Sequence, residues 1–210
     1  MKKIVLATKN QNKIKEYNEL LGAEFKFLSL DDIGFNRNID ETGSTCSENA
    51  KIKAQTVFEF LEQNNLDYPV LAEDSGLFVN ALGGEPGVKS ARYAADHNDA
   101  ANRKLILDKL GDRLDRVAYF ECVICYMYER DLKLFMGRTF GEITEEEIGK
   151  TDFGYDCIFR SSDLDKTFGE ATSQEKSAVS HRARAVEAFK KWLVPTNPNY
   201  SRFVNFNKNN

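Results

Sequence analysis

An α/β fold built on a mixed sheet is the architecture that this 210-residue sequence predicts. Short apolar runs of strand length alternate with longer stretches whose apolar residues recur at helical spacing. Two long apolar runs stand back to back late in the chain and read as a hairpin, which adds antiparallel strands to an otherwise βα pattern. With 41% hydrophobic and 30% charged residues, the composition suits a globular protein with a full core. A single domain over residues 1–194 is expected. Residues 195–210 form a polar, asparagine-rich tail with too few apolar side chains to demand order.

Residues 3–8 form the first expected strand. The helix over 11–21 puts Ile14, Tyr17, Leu20 and Leu21 on one face, and Gly22 closes it. A second strand over 25–30 runs into a polar loop, 31–44. The next helix starts after Thr45, because Thr45 and Glu48 have capping-box spacing. Residues 69–72 read as a short buried strand and 77–82 as another, ahead of the turn Gly83, Gly84, Glu85, Pro86, Gly87. A helix over 98–110 follows. The hairpin pairs 117–128 with 132–140 across Glu129, Arg130 and Asp131. The last helix runs through Ala185, Phe189 and Trp192 and is ended by Pro195.

Lysine and arginine number 29 against 33 acids, a net charge of -4, which disfavours a nucleic-acid coat or an anionic-membrane binder. The apolar run in residues 1–8 is too short for a signal peptide or a membrane span, and no later run is long enough, so a cytoplasmic protein is expected. Cys122 and Cys125 have CxxC spacing, but inside a strand an odd offset sends the two sulfurs to opposite faces. With Cys46 and Cys157 they read as reduced core thiols rather than a zinc or redox site.

Polar runs carry the candidate chemistry. Thr8, Lys9, Asn10, Gln11, Asn12 and Lys13 lie between the first strand and the first helix, where open N–H groups and the helix dipole favour an anion. The competing reading is an Asn10 helix cap with solvated lysines. In Ala72, Glu73, Asp74, Ser75, Gly76 and Leu77, two acids end an apolar strand. Neighbouring strand side chains face opposite ways, so one acid, Asp74, is assigned to the reacting side. With Glu41 or Glu48 it could hold Mg²⁺, a hard cation that takes a few protein oxygens and completes its shell with water and phosphate. Glu48 competes as the partner in the capping box, and Glu41 as a solvated loop acid. Lys53 follows on the same helix and faces the site if Glu48 or Asn49 does.

After Thr151 and Asp152 come Phe153, Gly154, Tyr155 and Asp156, an aromatic beside a glycine and an acid. Phe153 could stack on a purine, Gly154 admits close backbone approach, and Asp156 could accept from a ring N–H. A tight turn leading into a strand explains the same residues. Further on stand Glu175, Lys176, Ser177, Ala178, Val179, Ser180, His181 and Arg182. If Ser180 is an N-cap, His181 and Arg182 occupy a first helical turn that offers N–H groups and a guanidinium fork. Such donors suit the O6 and N7 acceptors of a purine and reject the amino group of adenine. A basic helix start that merely covers surface is the alternative.

In order and spacing, the runs at 8–13, 48–54, 73–77, 84–93 (with Pro86, Gly87, Ser90, Ala91 and Arg92), 153–159 and 175–182 resemble the inosine triphosphate pyrophosphatases. The likeness extends over residues 3–193, and the ordered motifs are specific together although each is modest. It implies an elongated mixed sheet flanked by helices, with two lobes around a central nucleotide-binding cleft. It also implies a homodimeric enzyme that hydrolyses ITP, dITP and XTP to monophosphate and pyrophosphate with Mg²⁺, clearing deaminated purines from the nucleotide pool. By position, Thr8, Lys9, Asn10, Gln11, Asn12, Lys13 and Lys53 would handle phosphates, and Asp74 would be the catalytic acid-base residue and a metal ligand. Ser75, Phe153, Gly154, Tyr155, Asp156, Lys176, His181 and Arg182 would bind substrate. Neither nucleic acid nor membrane is an expected partner. The chain departs from the family pattern at Glu73, where aspartate is more frequent, at Cys46, where phenylalanine is common, and at Cys157, where proline usually follows Gly-Tyr-Asp.

Overall fold

The computed structural model describes residues 2–21, 23, 25–95, 98–150 and 153–193. Gly22, Thr151, Asp152, Pro195 and the tail over 195–210, each given a part above, lie outside the described residues. Strand β1 (Lys2–Leu6) leads into helix α1 (Gln11–Leu21), and β2 (Phe25–Leu28) is followed by α2 (Cys46–Gln63) and β3 (Val70–Val79). A two-residue strand β4 (Pro86–Gly87) precedes helix α3 (Asp99–Leu110). The long strands β5 (Val117–Tyr128) and β6 (Asp131–Ile143) come next, then the short β7 (Phe159–Ser161) and β8 (Lys166–Thr167). Helices α4 (Ser173–Val179) and α5 (His181–Trp192) end the described chain. No helix among the described residues is long and apolar enough to cross a membrane.

The strands form one mixed sheet in the order β2-β1-β3-β5-β6-β7-β8, with β4 paired to β3. β1 runs parallel to both β2 and β3, whereas β3–β4, β6–β7 and β7–β8 are antiparallel. Two compact units share this sequence: residues 1–74, 123–136 and 185–210 form the first, and residues 75–122 and 137–184 the second. In the first unit, parallel strands buried on both faces explain the unbroken apolar runs Ile4, Val5, Leu6 and Val70, Leu71, Ala72. Its aromatic cluster centres on Phe189, 6.0 Å from Phe25, 5.5 Å from Tyr126 and 5.3 Å from Phe135 between ring centroids. In the second unit the core gathers Leu77, Val79, Ile106, Leu110, Phe120 and Phe159. All four cysteines are buried, and burial pushes the Cys125 thiol up to about 12.

The strands expected over 69–72 and 77–82 are a single strand, β3, so Glu73, Asp74 and Ser75 lie inside it and not at its end. The ladder persists because each flank has a partner. Val5 and Leu6 of β1 pair with Val70 and Leu71, and Gly87 and Pro86 of β4 pair with Leu77 and Phe78. Gly76 makes the second pairing possible, since a Cβ there would overlap the Gly87 carbonyl. The capping box at α2 is present as expected, with Thr45 as N-cap and Glu48 reciprocating. The hairpin turn is tighter than expected. Glu129 and Arg130 both take positive φ, 48° and 65°, the geometry of a two-residue turn matched to strand twist.

Candidate active site

In the first unit, β3 presents its two acids to different helices. Glu73 turns towards α1, where Tyr17 Oη donates to its Oε2 at 2.8 Å and Lys13 Nζ lies 2.9 Å from its Oε1. Asp74 turns towards α2, where Lys53 Nζ donates to Oδ1 at 2.9 Å and Asn49 Nδ2 to Oδ2 at 3.3 Å. Asn49 and Lys53 are one helical turn apart and so share a face. The alternation expected for adjacent strand residues is therefore what separates the two carboxylates. Both are buried, at 3% and 4% exposure.

Lys53 is the hub of this cluster. Its Nζ lies 2.8 Å from Glu41 Oε1 and donates to the Glu73 carbonyl at 3.1 Å, besides its bond to Asp74. Burial alone would lower its pKa, but the Asp74 and Glu41 carboxylates outweigh burial and raise it. Glu48 is not part of the cluster. Its Oε2 accepts from Ser44 N, Ser44 Oγ and Thr45 N at 2.7, 2.8 and 3.2 Å, and the Ser44 bonds hold its carboxyl below the usual range. Of the two acids open to the metal role, Glu41 is the one that shares a partner, Lys53, with Asp74.

The polar loop before α1 is ordered by its own side chains. Thr8 Oγ1 accepts the Asn10 N–H at 3.1 Å, and Asn10 Oδ1 accepts those of Asn12 and Lys13 at 3.0 and 3.3 Å. Asn10 therefore caps the helix, as its competing reading had it, while Lys13 reaches Glu73. Lys9, Asn10, Gln11 and Asn12 are exposed, and Thr8 is half-buried. The Ala7 N–H donates to Leu71 O at 2.9 Å, which fastens the loop beside the acidic stretch of β3.

In the second unit, Lys176 of α4 joins the Phe153 and Asp156 positions. Its Nζ lies 2.5 Å from Asp156 Oδ2 and 4.8 Å above the Phe153 ring, with Phe168 at 5.7 Å. Ser180 closes α4 and caps α5, accepting the Ala183 N–H at 3.1 Å. His181 and Arg182 thus stand in a first helical turn, as expected. Neither covers surface. Arg182 is 1% exposed, the largest fully buried side chain, and His181 is 6% exposed, stacked on Phe120 at 4.9 Å and 15°. Ser75 is half-buried on β3, and Tyr155 is buried. Gly154 takes φ 50°, a left-handed conformation that suits glycine.

Tyr17, Phe120 and Phe168 enter these clusters without having been singled out by motif. Asn49 lay within the run 48–54, one helical turn from Lys53. Tyr17 had its place on the apolar face of α1, where a phenol is read as core.

Among the described residues no group of three or more His, Cys, Asp or Glu gathers as a metal cage. Asp74 and Glu41 nevertheless converge within 2.9 Å of one cationic point, the Lys53 ammonium. Two carboxylates drawn together by one lysine offer the few hard oxygens that a Mg²⁺ keeping water and phosphate as its other ligands would take.

The class that fold and residues define is a mixed-sheet α/β protein with a buried carboxylate–lysine cluster beside its parallel strands. The chain belongs to the Ham1 family, whose model matches residues 4–192. It is 43% identical over 192 residues to a dITP/XTP pyrophosphatase of Christiangramia forsetii, covering 91% of this chain and 98% of that protein. It is also 43% identical to a dITP/XTP pyrophosphatase of Bacillus licheniformis, covering 89% and 95%. Among solved structures, a Ham1 protein from Coxiella burnetii superposes with a TM-score of 0.82 at 41% identity, covering 92% of this chain and 98% of that one. The Staphylococcus aureus Ham1 protein gives 0.81 at 38% identity, with 91% and 98% covered.

Proposed function

We propose that this chain hydrolyses the deaminated purine nucleoside triphosphates ITP, dITP and XTP to monophosphate and pyrophosphate in a Mg²⁺-dependent reaction. The observation that carries this reading is the convergence of Asp74 and Glu41 on one cationic point, in a chain closely similar to proteins named dITP/XTP pyrophosphatase. Asp74 and Glu41 would hold the ion, which when bound neutralises phosphate oxygens and makes the α-phosphorus more electrophilic. Asp74 accepts a proton from the attacking water, whose oxygen bonds to the α-phosphorus as the link to the β-phosphate oxygen breaks and pyrophosphate departs. Lys13 and Lys53 stabilise the charge that grows on the leaving oxygens, an effect greater in the transition state than in the bound substrate. Thr8, Lys9, Asn10, Gln11 and Asn12 complete the phosphate contacts.

Base recognition falls to Phe153, Asp156 and the residues that surround them. Phe153 stacks on the purine, Asp156 accepts from a ring N–H, and Lys176 fixes Asp156 by their ion pair. Donors at His181 and Arg182 read O6 and N7, with Ser75, Gly154 and Tyr155 lining the same substrate. This reading extends to a cytoplasmic homodimer with no nucleic-acid partner, supported by the family likeness and the net charge of -4. Pyrophosphate release from ITP, dITP, XTP, GTP and ATP, with and without Mg²⁺, tests it. Expected are Mg²⁺-dependent release and a preference for ITP over ATP of about 100-fold in kcat/KM, the size of one good bidentate contact. Absence of pyrophosphate release from all five nucleotides refutes it.

A further inference from the structure

We infer that Asp99 and Arg103, on the first turns of α3, are positioning residues that hold the base-reading turn in register and thereby set selectivity between bases. This rests on the function proposed above, since it concerns the same turn, but the two residues belong to none of the substrate-binding runs.

The geometry centres on Gly154. Its N–H donates to Asp99 Oδ2 at 2.8 Å, and its carbonyl accepts from Arg103 Nη1 at 2.8 Å. Both hydrogen-bonding groups of one residue are thus taken by side chains four positions apart on a single helix face. Arg103 is itself fixed, because its Nε donates to Glu147 Oε1 at 2.7 Å and only 4% of the residue is exposed. These are charge-assisted bonds, stronger than the neutral ones usual in turns. Next door, Tyr155 Oη donates to the Ser90 carbonyl at 2.6 Å.

A glycine at positive φ is where such restraint matters. Gly154 has no Cβ to limit its backbone, and a Cβ built there meets nothing within 4 Å, so side-chain packing does not define its conformation. Clamping its N–H and carbonyl from outside fixes the backbone that carries Phe153 on one side and Asp156 on the other. α3 does not need the clamp for its own docking, since Ile106 and Leu110 already bury it in the core of the second unit. The clamp restrains the turn more than the helix. A misplacement of about 1 Å in a substrate-positioning group can cost on the order of 100-fold in rate, so a loosened turn should register in base preference.

The test compares the full-length wild type with Asp99→Ala, Asp99→Asn and Arg103→Lys. Kinetics with ITP and with ATP are measured beside hydrogen–deuterium exchange of peptides spanning Gly154. Asp99→Ala should raise KM for ITP about tenfold with kcat held within about twofold, because the clamp acts on binding and not on the groups at phosphorus. The ITP:ATP ratio of kcat/KM should fall by a similar factor, and exchange at Gly154 should rise about tenfold or more as the turn opens locally. Asp99→Asn, which keeps an acceptor oxygen, should restore most of the preference. Arg103→Lys, which keeps charge but loses the fork, should behave like Asp99→Ala and decides the matter if that variant fails to fold. Unchanged exchange at Gly154, or faster exchange with an unchanged ITP:ATP ratio, overturns the inference. So does an equal loss on both nucleotides, the mark of a purely structural role. A wild type without preference for ITP refutes the proposed base reading together with this inference, whereas a preference that survives in the variants refutes this inference alone.

Discussion

Lys53 is a buried cation whose retention depends on its neighbours. An ammonium at 8% exposure is costly, and the two carboxylates at 2.8 and 2.9 Å offset that cost while being neutralised by it. Its pKa is raised, so the stabilisation it gives is fully present below the ordinary lysine value and is lost only as pH rises through the higher folded value. Acid and neutral solutions leave this ion pair intact as far as Lys53 is concerned. Removing the cation should expose the underlying repulsion: Lys53→Met should cost about 3 kcal/mol by leaving the buried Asp74 and the half-buried Glu41 without the ammonium they share. For a chain of this size that is a fall of about 6–12 °C in melting temperature. Added Mg²⁺ should recover part of the loss, whereas the wild type, whose acids already share a cation, should gain less. Melting curves in chelator and in Mg²⁺ check this, and equal Mg²⁺ gains in both proteins would contradict it. Asp74→Asn is the complementary case. The amide keeps an oxygen for Lys53 or Asn49, so the fold should survive by circular dichroism, while loss of the proton acceptor should lower kcat for ITP about 1,000-fold.

At the scale of elements, helix α4 shows how a local signal can be present and still be hard to weigh. Thr172 and Glu175 form a capping box with the same spacing as Thr45 and Glu48. The box at α2 opens a helix long enough for its periodicity to be visible; the one at α4 opens seven residues, too few for a periodic face. Ser180, extended at φ -65° and ψ 154°, then separates α4 from α5 with a cap that was legible. β3 illustrates the opposite case. Glu73 and Asp74 interrupt an apolar run and read as its end, because the side chains that satisfy them, Tyr17 and Asn49 among them, come from distant helices. Glu175 carries a prediction. Hydrogen bonds from Lys166 and from the Thr172 N–H and hydroxyl hold its carboxyl down to about 2. A depressed acid stabilises the folded state above its ordinary value of 4.5 and loses that contribution as pH falls towards about 2. Titration of the Glu175 side-chain carboxyl by NMR should show this low midpoint, and Thr172→Ala should move it upward. A midpoint near 4.5 in the unmodified chain would mean that the cap and the Lys166 pair are not formed in solution.

Across the whole molecule, the order of the motifs was legible, and so was the alternation of strands and helices that generates the parallel part of the sheet. What spacing does not show is which residues meet. Tyr17 and Glu73 are 56 positions apart, Arg103 and Gly154 51, and each pair exists only because the fold brings distant segments together. The described partners of Asp74 lie in the first compact unit and those of Asp156 and Gly154 in the second, so the two groups share no partner among the described contacts. Two substitutions without a shared partner are additive in free energy and multiplicative in rate. Lys13→Ala should therefore reduce kcat/KM for ITP and ATP alike, by about 100-fold if it removes one charge-stabilising contact. Arg182→Ala should instead erase most of the preference for ITP over ATP. In the double variant the kcat/KM for ITP should equal the product of the two single losses within about a factor of two, the tolerance of additivity for independent sites. A much smaller combined loss, with the second substitution costing nothing once the first is made, would show that base reading and phosphate handling act as one coupled unit.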